Sequence, residues 1–135
     1  MARIDQGMAA AAAAALPGQV DKELRTRYRQ LRVMLHTAGL AATYAFIASK
    51  AKDPDEGSGA ADKARLAAAY QDAAKGIVSR LFPANAEHMS ARDVLRELGC
   101  MDPVRYARAS AEASAFAGWL SRLADAVYQE GEDDA

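Results

Sequence analysis

Leu24, Tyr28, Leu31 and Leu35 recur at i, i+4, i+7 and i+11, the spacing that gathers side chains on one face of an α-helix. No segment shows the sustained alternation of β-branched and polar residues that a half-buried strand requires. The four prolines and most of the glycines fall between periodic segments, where they end one helix and allow the next to begin. The sequence therefore predicts an all-α, single-domain bundle of about six helices over residues 1–129, followed by an acidic, disordered segment at 130–135.

The expected helices cover about 3–15, 21–39, 40–52, 60–81, 90–98 and 103–129. Leu16-Pro17-Gly18 ends the first. Asp21 is an N-cap for the second, and Gly39 makes a kink or short break before the third. Asp53 to Gly59 forms an exposed acidic loop with turn residues Pro54, Gly57, Ser58 and Gly59. Phe82-Pro83 closes the fourth helix. Ser90-Ala91-Arg92-Asp93 is a capping box with aspartate in place of glutamate, opening a short helix that Gly99 stops. Asp102-Pro103 is an N-cap followed by proline at the first helical position. Much of the 51% hydrophobic content is alanine, so the core is expected to lean on Trp119, Phe46, Phe82, Phe116, the tyrosines and the leucines.

Little in the chain points to catalysis. The histidines are His36 and His88 and the single cysteine is Cys100, so neither an internal disulfide nor a cysteine-based zinc site can form. Glu87-His88 lacks further metal ligands, and His88 reads as a surface histidine. Cys100 reads as a small apolar residue packed at a helix end rather than as a nucleophile. No phosphate-binding glycine loop, nucleophile elbow or zinc-protease motif is present, and nothing points to a cofactor. No apolar run approaches the ~20 residues needed to span a bilayer. The start of the chain lacks the basic and leucine-rich regions of a signal peptide, and the expectation is a cytoplasmic protein.

The net charge of −1 conceals an uneven distribution. Four acids stand at Glu130, Glu132, Asp133 and Asp134, and three more at Asp53, Asp55 and Glu56; with these seven set aside, the helical body carries a charge of +6. Arg25, Arg29, Arg32 and His36 repeat at i, i+4, i+7 and i+11, one residue out of phase with the apolar stripe. The two rows therefore run side by side ~100° apart. Such a row suits phosphate or carboxylate contact, although from the residues alone a solvated face with intrahelical pairs is the favoured reading. On the last helix Arg105, Arg108 and Arg122 fall within an arc of ~100°, with Glu112 inside it and expected to neutralise it in part. Lys50 and Lys52 close the third helix, where cations favour the C-terminal end of the dipole. If these cations meet nucleic acid, the expected mode is backbone contact, weak alone, sequence-tolerant and salt-sensitive, with no aromatic interleaved to stack bases.

The segment from Tyr28 to Lys50 contains Gly39-Leu40-Ala41-Ala42-Thr43, then Tyr44, Phe46 and Ile47, then Ser49-Lys50. It resembles the small helical subunit of the type III-B CRISPR effector, the Cmr complex, whose members carry a tyrosine, Gly-Leu-x-x-Thr, an aromatic or leucine pair and x-Ser-Lys. Tyr106, Ala113 and the stretch from Ala117 to Ala124 agree with the same family, so the resemblance runs from about residue 3 to 128. Arg32 stands where proline is common in the family and Ala38 where asparagine is common, which leaves a longer continuous second helix open; the acidic 130–135 segment is peculiar to this sequence.

The resemblance implies a non-catalytic subunit of an antiviral RNA-guided complex. Its implied partners are the backbone and large subunits of the Cmr complex, other copies of itself, and the guide and target RNA. It makes Arg25, Arg29, Arg32, His36, Lys50, Arg105, Arg108 and Arg122 candidates for RNA contact. The competing readings are a helical adaptor that binds only protein, and a small enzyme using Glu87, His88 or Cys100. Gly39-Leu40 to Ile47-Ala48 superficially resembles a helix-turn-helix, but an acidic loop follows where a recognition helix belongs.

Overall fold

The computed structural model describes residues 2–52 and 60–128, with side chains from 6 to 52 and 63 to 128. The expected acidic loop at 53–59 and the acidic segment at 130–135 lie outside the described residues. The helices are α1 (Ala2–Ala15), α2 (Lys22–Ala38), α3 (Leu40–Lys50), α4 (Ala60–Leu81), α5 (Ala91–Cys100) and α6 (Pro103–Val127), with a 3₁₀ turn at Ala86–His88. No strand occurs among the described residues. None of the helices is long and apolar enough to cross a membrane.

Local chemistry sets the helix starts. The Asp21 carboxylate accepts from the Leu24 backbone N–H at 2.8 Å, and Asp102 accepts from that of Arg105 at 2.8 Å. At α5 the Ser90 hydroxyl accepts from the Asp93 N–H at 3.1 Å, while Asp93 accepts from the Ser90 N–H at 3.0 Å. Those bonds hold the Asp93 carboxyl below its usual range.

The chain breaks at Gly39, whose φ of 95° is open to glycine and strained for other residues. α2 and α3 are thus two helices, and α2 continues through Arg32 to that break. Gly39 has no side chain with which to cap α3. The Tyr106 hydroxyl of α6 takes the role, accepting from the Ala41 N–H at 3.0 Å.

α6 is the central helix. α1, α2, α3 and α4 all pack against it, and Phe116, Leu120 and Ala124 are fully buried along it. Its alanines let neighbours approach closely. Phe116 lies so near α4 that a Cβ built on Gly76 would sit 2.3 Å from the ring's Cζ. Phe46 and Tyr70 meet edge to face at 6.0 Å, joining α3 to α4.

Three expectations are corrected. α5 does not stop at Gly99 but runs to Cys100, and the chain leaves the helix at Met101, whose ψ is 141° and whose N–H closes on the Leu98 carbonyl. Cys100 is exposed rather than packed: it lies two residues, ~200° around the helix, from buried Leu98. Of the large side chains expected to carry the core, Phe116 is fully buried, whereas Trp119, Phe46 and Phe82 are only partly buried and pack against its edge.

Candidate nucleic-acid interface

α2 and α6 run antiparallel. Arg25 and Arg29 near the start of α2 reach Asp125 near the end of α6, while the α2–α3 junction meets Tyr106 near the start of α6. The buried stripe of α2 (Leu24, Tyr28, Leu31 and Leu35) faces the core. Its arginine row, one residue out of phase, is therefore carried to the edge of the α2–α6 contact.

There the two helices enclose an open groove of about 900 Å³, with Arg29, Arg32, Val33 and His36 on the α2 side. Ser114, Ala115, Gly118 and Trp119, with Ser121, Arg122 and Asp125, supply the α6 side. The small residues of α6 form its floor. A Cβ on Gly118 would come 4.0 Å from Arg32 Nε, so the Arg32 side chain lies across that glycine.

The cations of the groove differ in commitment. Arg29 donates to Asp125 at 2.9 Å, and Arg25 approaches the same carboxylate at 3.8 Å. Arg25 also lies over the Tyr128 ring, 4.1 Å from its centroid. Arg32 makes no ion pair among the described residues. Arg122 stacks over Trp119 at 5.5 Å, leaving its charge without a carboxylate partner there. Val33, on the α2 rim, is 60% exposed and adds an apolar contact to a basic rim.

The structure thus brings together Arg29, Arg32, His36 and Arg122, with Arg25 behind Asp125. It does not bring in the other candidates. Lys50 is exposed on α3, 5.7 Å from the Phe46 ring, and does not line the groove. Arg105 and Arg108 are exposed toward the start of α6. Arg108 shares a helical face with Ala115 and Arg122, at steps of seven residues, but lies ~10 Å beyond Ala115. Glu112 does not neutralise that arc as expected: it turns to α4 and accepts from Arg80 at 2.8 Å.

The sequence does not reveal Val33, the small residues of the floor, Trp119 or Asp125 as members of the groove. Trp119 was assigned to the core, and Asp125 was not singled out. Asp125 stands at i+3 from Arg122, which marks it as a neighbour of that cation; its pairing with α2 needs the tertiary contact.

A second groove, between α3 and α4, is lined by Tyr44, Ala48, Val78 and Met89, with Lys52 and Lys75 at its edge. His88 and Glu87 are exposed. Among the described residues no three His, Cys, Asp or Glu side chains converge as metal ligands.

A family model described as CRISPR-associated protein (Cas_Cmr5) matches residues 4–127. Neither the curated proteins nor the solved structures give a significant match.

Proposed function

The chain belongs to the Cas_Cmr5 family of CRISPR-associated proteins, and from that premise we propose that it is a non-catalytic small subunit that helps form the target-RNA channel of a type III-B Cmr complex. In this reading it packs along the backbone subunits, beside further copies of itself and the large subunit, and turns the α2–α6 groove toward RNA. The observation that carries the reading is the convergence of Arg29, Arg32, His36 and Arg122 from two helices over a floor of Gly118, Ala115 and Ser114.

Such a floor lets a phosphate backbone approach closely, and guanidinium groups bind phosphate with directed, charge-assisted hydrogen bonds. The contacts are to backbone rather than base edges, so binding is sequence-tolerant and falls steeply with salt.

A protein-only adaptor is the second reading, favoured by the apolar α3–α4 groove. Co-expression with the Cmr backbone subunit and guide RNA tests the first reading. The subunit is expected in the purified ribonucleoprotein, crosslinking to target RNA through α2 and α6. Absence from the complex, or presence with no RNA crosslink from either helix, counts against it.

A further inference from the structure

We infer that the α2–α6 groove holds a discrete position for one phosphate group, bound by the Ser121 hydroxyl together with the guanidinium groups of Arg29 and Arg32. That the phosphate belongs to an RNA backbone rests on the RNA-binding reading above; the anion position itself does not.

The position follows from how the two helices face each other. Ser114, Gly118, Ser121 and Asp125 recur at i, i+4, i+7 and i+11 on α6, so they share one face, and all four line the groove. On the α2 side, which runs the other way, Arg32 lies across Gly118 and Arg29 donates to Asp125 at 2.9 Å. Ser121 stands about one turn from Gly118 and one turn from Asp125. It therefore falls between the two arginines.

Ser121 is 3% exposed, yet it lines the groove. Its hydroxyl makes no hydrogen bond among the described residues, and a hydroxyl withdrawn from water without a partner is costly. The groups that face it across the groove are guanidiniums, which donate and never accept. Donors thus arrive from two helices with no acceptor between them. A phosphate supplies what is missing, since its several oxygens accept from the Ser121 O–H and from N–H groups of Arg29 and Arg32 at once.

Asp125 leaves room for such an anion. Arg29 and Arg25 both approach its carboxylate, at 2.9 and 3.8 Å, so its charge is met there. A guanidinium has five N–H donors, and Arg29 can keep Asp125 while it binds a second acceptor. Arg32 holds no ion pair among the described residues and has nothing to release.

Titration of the full chain with inorganic phosphate at constant ionic strength, and with a single-stranded oligouridine across a salt series, tests this. The Nε–H resonances of Arg29 and Arg32 are expected to shift saturably with both. Ser121→Ala raises helix propensity and is expected to fold as the unmodified chain does. It is expected to weaken both ligands about tenfold, as for one lost hydrogen bond to a charged group. Its salt dependence for oligouridine is expected to match that of the unmodified chain, because a neutral hydroxyl releases no counterion, whereas Arg32→Gln makes it shallower by about 0.7. Unchanged phosphate affinity in Ser121→Ala, or no saturable phosphate shift in the unmodified chain, overturns the inference, whatever Arg32→Gln does to oligouridine binding. Phosphate binding that depends on Ser121, with no oligouridine binding by the unmodified chain, overturns the RNA-binding reading and leaves the anion position standing.

Discussion

Arg29 of α2 donates a 2.9 Å hydrogen bond to Asp125 of α6, so the groove's one carboxylate restrains one of its own cations. The two side chains are 54% and 43% exposed, and a pair this open contributes little to stability, about 0.5 kcal/mol. Asp125→Asn is expected to leave thermal unfolding almost unchanged and to free Arg29 and Arg25. Affinity for single-stranded RNA should then rise on the order of threefold, with the salt dependence steeper by about 0.7, as for one further phosphate contact. Filter binding across a salt series checks both.

Gly76 and Phe116 make the tightest approach in the core. The ring of Phe116 is fully buried and has no free end to swing aside. Alanine at Gly76 gains about 1 kcal/mol in helix propensity, but its Cβ meets the ring at 2.3 Å. Gly76→Ala is expected to destabilise by roughly 1–3 kcal/mol through overpacking. In a Phe116→Leu background the same change is expected to cost less or to stabilise, a coupling that a double-mutant cycle by urea unfolding reads directly.

Tyr106 supplies a cap that Gly39 cannot. Tyr106→Phe removes the acceptor of the Ala41 N–H and is expected to cost about 1–2 kcal/mol. Hydrogen exchange is expected to rise in the first turn of α3 before it rises elsewhere.

Much of this fold was legible in the sequence. The Asp21, Ser90-Asp93 and Asp102-Pro103 signals are local chemistry, and each sits at an observed helix start. The apolar stripe of α2 is equally plain, since Leu24, Tyr28, Leu31 and Leu35 are all buried. What escaped depends on contacts distant in sequence. Periodicity gives the arginine row its face but not its neighbour, so the pairing with Asp125 and the floor at Gly118 could not be read. Trp119 was misplaced because size and apolarity suggest a core residue, whereas the alanine-rich stripe of α6 fills that space. The 3₁₀ turn at Ala86–His88 has no periodic pattern to announce it.

Tyr28 tests the balance inside the core. Burial, with lesser contributions from Asp72 and Tyr70, pushes its hydroxyl well above the ordinary tyrosine value. The hydroxyl has no hydrogen-bond partner among the described residues. A raised folded-state pKa means that the neutral form's contribution is intact below about pH 10, the unfolded tyrosine value, and is lost progressively above it. Tyr28→Phe is expected to match or exceed the parent in stability at pH 7, by up to about 1 kcal/mol. It is also expected to move the alkaline unfolding limb to higher pH. Chemical unfolding from pH 7 to pH 11 follows both effects.

The central claim is that the α2–α6 groove meets target RNA within the assembled complex. The most direct measurement compares target-RNA affinity of complexes carrying the unmodified subunit and the Arg32→Glu, Arg122→Glu double variant, each first verified for full subunit incorporation. Both residues are exposed and unpaired with any carboxylate among the described residues, so folding is expected to survive the change. The predicted result is intact assembly with target-RNA affinity reduced tenfold or more and a shallower salt dependence, by about 1.4 for two lost phosphate contacts. Intact assembly with unchanged affinity and unchanged salt dependence would contradict the claim and leave the arginines of the groove as a solvated face.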